Sequence, residues 1–187
     1  MAPASASPTV AATGPFVLSA GALAPGTYTT TAFQPRLTFV LGDGWRGLFP
    51  DDDDEVALEG DEGLFFAVTR VSKVVDPTTH TAVAVPDDLV SWLATHPALT
   101  ADAPAAASIG GLTGQWLDVT AGNSSEVELF AYPSGNLRIV QGATFRIHVL
   151  SMEGPDLTII VGAPASNLPT AVELAQPVLD SLEIIPG

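Results

Sequence analysis

Apolar and polar positions alternate along this chain in short blocks punctuated by glycine, proline and aspartate, the pattern of an α+β domain rather than a helical one. Residues 26–33, rich in threonine and aromatics, predict a strand or sheet edge. Residues 37–41 predict a second strand, ended by Gly42-Asp43-Gly44, and Trp45 opens an extended piece running to Phe49. Residues 55–58 and 64–75 give two more strands around a turn at 60–63. A helix is predicted over 88–95, with Asp87 as its cap, Asp88 adding favourable charge, and Pro97 as its stop. Its apolar face is Leu89, Trp92 and Leu93, spaced i, i+3 and i+4.

After an Ala-rich loop over 100–107, strands return at 115–120, 126–132, 137–141, 144–150 and 156–162. Two hairpin turns are marked by Pro133-Ser134-Gly135-Asn136 and Glu153-Gly154-Pro155. The closing helix begins near Asn167 and Pro169 and carries the stripe Val172, Ala175, Leu179 and Leu182. Pro177 should kink or restart it, because proline cannot donate a backbone hydrogen bond. Residues 182–185 predict a last short strand. The fold class is therefore α+β, a mostly antiparallel sheet with helices packed on it.

The first fifteen residues break the alternation. They are nearly all Ala, Pro, Ser and Thr, carry no charged side chain, and read as a solvated tether, leaving residues 16–187 as a single α+β domain. A tether leading into one domain is the layout of an extracytoplasmic protein, secreted or lipid-anchored at the cell surface. The segment lacks the basic start and apolar middle of a signal peptide, so any such signal has been removed, and membrane contact would run only through a removed lipid anchor. Six basic residues face twenty-one acidic ones, for a net charge of −15. That surface repels nucleic-acid phosphates and anionic lipid headgroups and favours cationic partners or divalent metals. The absence of cysteine excludes disulfides, thiolate zinc sites and cysteine nucleophiles.

Several segments resemble a known group. Leu23-Ala24-Pro25-Gly26-Thr27-Tyr28-Thr29-Thr30, Phe33, Pro35, Leu37-Thr38-Phe39 and Gly44-Trp45 are similar to bacterial exported or lipoprotein-type domains of unknown function. So are Pro86-Asp87-Asp88-Leu89, Trp92-Leu93, His96-Pro97 and Gly110-Gly111-Leu112-Thr113-Gly114. More remotely, the early Gly-Trp and the ending Pro177-Val178-Leu179-Asp180-Ser181-Leu182-Glu183-Ile184 resemble the Mog1/PsbP-type α/β/α sandwich. That likeness implies a sheet covered by helices and a binding or assembly role, and it transfers no catalytic residue.

Candidate chemistry is sparse. The run Asp51-Asp52-Asp53-Asp54-Glu55, with Glu59, Asp61 and Glu62 behind it, could supply oxygens to a hard cation, so weak calcium is the one cofactor entertained. EF-hand spacing is missing, since Val56 stands where the loop needs glycine, and a solvated acidic loop is the simpler reading. Arg146 and His148 alternate with Phe145, Ile147 and Val149 and so share a strand face. Keeping Leu137 and Ile139 on the apolar face of a hairpin with that strand would set Arg138 beside them. Arg138, Arg146 and His148 then form a candidate anion site, against the alternative that they pair with carboxylates. His96 is expected to meet free carbonyls at its helix end, and Trp45, Trp92 and Trp116 to pack in the core. Tyr28, on a threonine face, is the one aromatic open to a polymer ligand. The chain thus reads as a surface-tethered binding or structural module for a protein or polymer partner. The alternatives are a carboxylate enzyme using Asp118 or Glu128 with His148, and calcium-dependent adhesion.

Overall fold

The computed structural model describes residues 15–133 and 135–185, so the expected tether lies outside the described residues except for Pro15. In chain order the first strands are β1 (Phe16–Val17), β2 (Gly21–Ala22), β3 (Gly26–Thr29), β4 (Arg36–Leu41) and β5 (Arg46–Gly47). β6 (Glu55–Glu59), β7 (Phe65–Arg70), β8 (Lys73–Val75) and β9 (Ala82–Ala84) lead to helix α1 (Leu89–Thr95). Then come β10 (Thr100–Ala101), β11 (Ala105–Ile109), β12 (Leu112–Thr120), β13 (Glu126–Tyr132), β14 (Gly135–Val140), β15 (Ala143–Leu150) and β16 (Leu157–Pro164). Helix α2 (Leu168–Asp180) and β17 (Glu183–Ile185) close the order.

The strands form three sheets. The largest runs β10-β12-β15-β16-β7-β6-β5-β2, with β11 also paired to β12. The second is β1-β3-β4-β17 and the third β14-β13-β8-β9. Every pairing but β1 with β3 is antiparallel. The central strands are apolar on both faces, and alternate side chains feed two separate cores. Leu58, Phe66, Val68, Ile159 and Val161 pack with Leu37 and Phe39 of β4 and with Ala171, Ala175 and Val178 of α2. Ala57, Ala67, Leu117, Ile147 and Ile160 pack with Leu89 and Leu93 of α1 and with Leu129, Phe130 and Ile139 of the third sheet. Burial on both sides explains why these strands lack the polar face of a half-exposed sheet.

Several expectations need correction. The predicted strand 64–75 is two strands in different sheets: β7 lies in the central sheet and β8 pairs with β9 and β13. Thr69, Arg70, Ser72 and Lys73 interrupt the apolar run where β7 gives way to β8, but apolar residues resume at once, so the pattern alone does not show a change of sheet. The Ala-rich loop contains β10 and most of β11, both of which pair antiparallel with β12. Helix α1 is capped by Asp88 rather than Asp87, its carboxylate accepting the Ser91 N–H at 2.8 Å. Helix α2 is not restarted at Pro177 but runs on to Asp180, with Pro177 inside it contributing no backbone N–H. Tyr28 is buried, stacked on Phe39 and packed on Phe16, with its hydroxyl donating to the Ala24 carbonyl at 2.8 Å. It offers no face to a polymer.

Candidate functional site

The acidic run does not act as one group. Asp51 is buried, and its Oδ2 accepts the backbone N–H groups of Thr31, Ala32 and Phe33 at 2.6, 2.7 and 3.2 Å. It clamps the loop before β4. Asp52 Oδ1 accepts the N–H groups of Asp54 and Glu55 at 2.9 and 2.7 Å, closing a local turn. Among the described residues no three histidine or carboxylate side chains converge in a way that could hold a metal ion.

The three residues of the candidate anion site are divided. β14 pairs with β13 in the third sheet, not with β15, so the expected hairpin register does not exist. Arg138 lies exposed on β14, 3.5 Å from Glu128 and 3.9 Å from Glu126. Arg146 and His148 do share a face of β15, opposite Asp118 and Trp116 of β12. There Arg146 donates from Nε and Nη2 to the two Asp118 oxygens at 2.8 and 2.9 Å and lies 3.9 Å from the Trp116 ring centre. A guanidinium held bidentately by a carboxylate is already neutralised. His148 is buried with neither ring nitrogen hydrogen-bonded among the described residues, and burial, then the charge of Arg146, lowers its pKa to about 4. At neutral pH this cluster carries no free positive charge. Glu128, on the third sheet, is far in topology from His148, and Asp118 is bound to Arg146 rather than to the imidazole. His96 does not reach helix carbonyls either: its Nδ1 accepts the Ala98 N–H at 3.3 Å and its ring packs edge-on against Trp92.

What sequence reading missed is the environment of Glu55. The first residue of β6, it belongs to the acidic run by sequence but turns inward, on the face that also carries Ala57. It lines a pocket of about 220 Å³ with Phe49, Phe65, Tyr132, Asn136 and Leu137. Among the described residues its carboxylate has no hydrogen-bond or ion-pair partner. Burial, then the nearby charges of Asp52 and Asp54, push its pKa up to about 7. The three aromatic rings are half-buried, so each keeps some surface toward the pocket. Tyr132 is fixed by a hydrogen bond between its hydroxyl and that of Thr69 at 2.8 Å, and its own ionisation is pushed up, chiefly by burial. A perturbed carboxyl in a cleft is a signature of functional sites. It became visible only through long-range pairing, because Tyr132 and Glu55 lie in different sheets.

No family model and no curated protein matches the sequence. Among solved structures the chain is similar to cyanobacterial PsbP (CyanoP) from Synechocystis sp. PCC 6803, at 13% identity over 94% of this chain and 98% of that one, with a TM-score of 0.47. It is also similar to LpqN of Mycobacterium tuberculosis, described as involved in cell envelope biogenesis, at 13% identity over 80% and 83% of the two chains, TM-score 0.39. A Bacteroides thetaiotaomicron protein shares 11% identity over 79% of this chain but only 44% of its own length, TM-score 0.41. This chain therefore spans less than half of that protein. All three likenesses are remote.

Proposed function

We propose that this protein is an extracytoplasmic binding module, built as a PsbP-type sandwich, whose ligand presents an organic cation to the Glu55 pocket. The observation that carries the reading is one carboxylate, unpartnered and buried, facing three aromatic side chains. Aromatic faces attract an ammonium or guanidinium group through the ring quadrupole, and a carboxylate completes the charge. A hard cation such as calcium would need six to eight oxygens, which this largely apolar wall does not provide. The net charge of −15 supports a cationic ligand by steering cations of any kind toward the surface. The charge-free Ala/Pro/Ser/Thr composition of the first fifteen residues supports a tethered, extracytoplasmic setting.

The test is calorimetric titration with tetramethylammonium, methylguanidinium and calcium. The reading expects the organic cations to bind, calcium to bind more weakly, and Glu55→Gln to lose at least tenfold in affinity for the organic cations. Equal binding by parent and Glu55→Gln overturns it.

A further inference from the structure

A second pocket, of about 360 Å³, lies on the other side of Phe65 and is lined by Phe65, Val140, Gly142, Phe145, Gly162 and Pro164 among others. Its wall is mainly apolar and carries no charged side chain. Two features join it to the Glu55 pocket. Phe65 lines both. Strand β14 runs along both, contributing Asn136 and Leu137 to the first and Val140 to the second. The two pockets thus share β14 and Phe65 as walls, one holding a carboxylate and the other apolar.

The floor of the apolar half is an aromatic surface that a glycine makes room for. Gly162 sits opposite Phe65 on β7 and Phe145 on β15, and a Cβ there would come within 2.6 Å of the Phe145 ring. With no side chain at that position, Phe145 stacks on Phe65 at 6.0 Å between ring centres. Gly142, with a positive φ of 85°, makes the tight β14–β15 turn without placing a side chain over the groove. Val140 remains half exposed at the rim.

We propose that this groove is the tail half of the same site, so that the ligand is a cationic amphiphile with its head against Glu55 and an unbranched apolar chain beyond Phe65. This rests on the head-pocket reading above and adds the chemistry of the remainder of the ligand. Adjacency decides against a separate apolar ligand: β14 and Phe65 bound both pockets, so an apolar chain carried by a head group at Glu55 has the groove beside it, whereas an independent hydrocarbon would gain nothing from the carboxylate next door.

The experiment is calorimetric titration of the full chain with n-alkyltrimethylammonium ions from one to ten carbons, kept below their micelle concentrations, and with the matching n-alcohols. Burial of each methylene should tighten binding about three- to fourfold until the groove is full. Val140→Asn, at the exposed rim, should flatten that dependence while leaving tetramethylammonium binding unchanged. Tetramethylammonium binding with no gain from added carbons overturns the tail assignment and leaves the head pocket standing. Binding of alcohols as tight as that of the ammonium ions, and unaffected by Glu55→Gln, overturns the head pocket and with it the amphiphile. Absence of binding across the whole series overturns both.

Discussion

Replacing Glu55 by glutamine should make the protein more stable at neutral pH while removing its proposed ligand contact. Glutamine keeps the shape of the side chain and cannot ionise. In the folded chain the Glu55 pKa stands at about 7, against an ordinary value of 4.5, because ionisation means a charge among aromatic side chains and near Asp52 and Asp54. Below pH 4.5 the carboxyl is protonated in both folded and unfolded chains, and the charge exerts no penalty. Between pH 4.5 and about 7 the unfolded chain has released this proton and the folded one holds it, so stability falls as pH rises. Above pH 7 both are ionised and the penalty is complete. At about 1.4 kcal/mol per pH unit of separation, it reaches at most about 3 kcal/mol, with partial solvent access to the pocket reducing it. Urea unfolding followed by tryptophan fluorescence, run from pH 4 to pH 8.5 on parent and Glu55→Gln, should give a stability difference near zero at pH 4 that grows through pH 7 and then levels. A difference that is flat with pH, or a variant less stable than the parent at pH 8, would refute the reasoning.

His148 works in the opposite sense. Its pKa of about 4 lies below the ordinary 6.5, so the unfolded chain takes up a proton first as pH falls, and stability drops between pH 6.5 and 4. In His148→Leu that loss should vanish, so that variant minus parent grows by about 3 kcal/mol across this window in the same urea series. Organic-cation binding should strengthen as pH rises toward 7, because Glu55 must lose its proton to pair, and then plateau; titration calorimetry at pH 6, 7 and 8 reads this directly. Asp51→Ala should cost about 3 kcal/mol or more by leaving three loop N–H groups without their acceptor, by an equal amount with calcium or with chelator, as measured by thermal unfolding.

Glu55 and His148 together have an effect that neither shows alone. Between pH 4.5 and 6.5 the folded chain holds an extra proton on Glu55 and lacks one on His148 relative to the unfolded chain. The two slopes oppose each other, and the contribution of this pair to the parent's pH profile is nearly flat. Only the single variants expose it.

Local chemistry made much of the fold legible in the sequence. The hairpins around residues 133–136 and 153–155 and the Asp-led helix were written in turn residues and periodicity, and β13 to β16 and α1 lie within one or two residues of expectation. What stayed hidden was sheet membership. The polar residues Thr69, Arg70, Ser72 and Lys73 mark a break between β7 and β8 but not a change of sheet, and nothing near Arg138 indicates that its strand joins β13. The anion-site grouping failed for that reason, although the shared face of Arg146 and His148 followed from alternation. Glu55 was singled out for its charge, but its burial depends on Phe65 of the neighbouring strand and on Tyr132 reaching it from another sheet.

The pairing of β17 with β4 sets the order in which this protein can be finished. Ile185 lies opposite Arg36 and Glu183 opposite Thr38, so one edge of the second sheet is supplied by the last described strand. Helix α2, just before it, covers the same core. Synthesis delivers the N-terminal strands first, at roughly 5–20 residues per second, and they must wait uncovered until the far end of the chain arrives. During that interval the apolar faces of β3 and β4 are open to any chaperone, and to association with other unfinished chains.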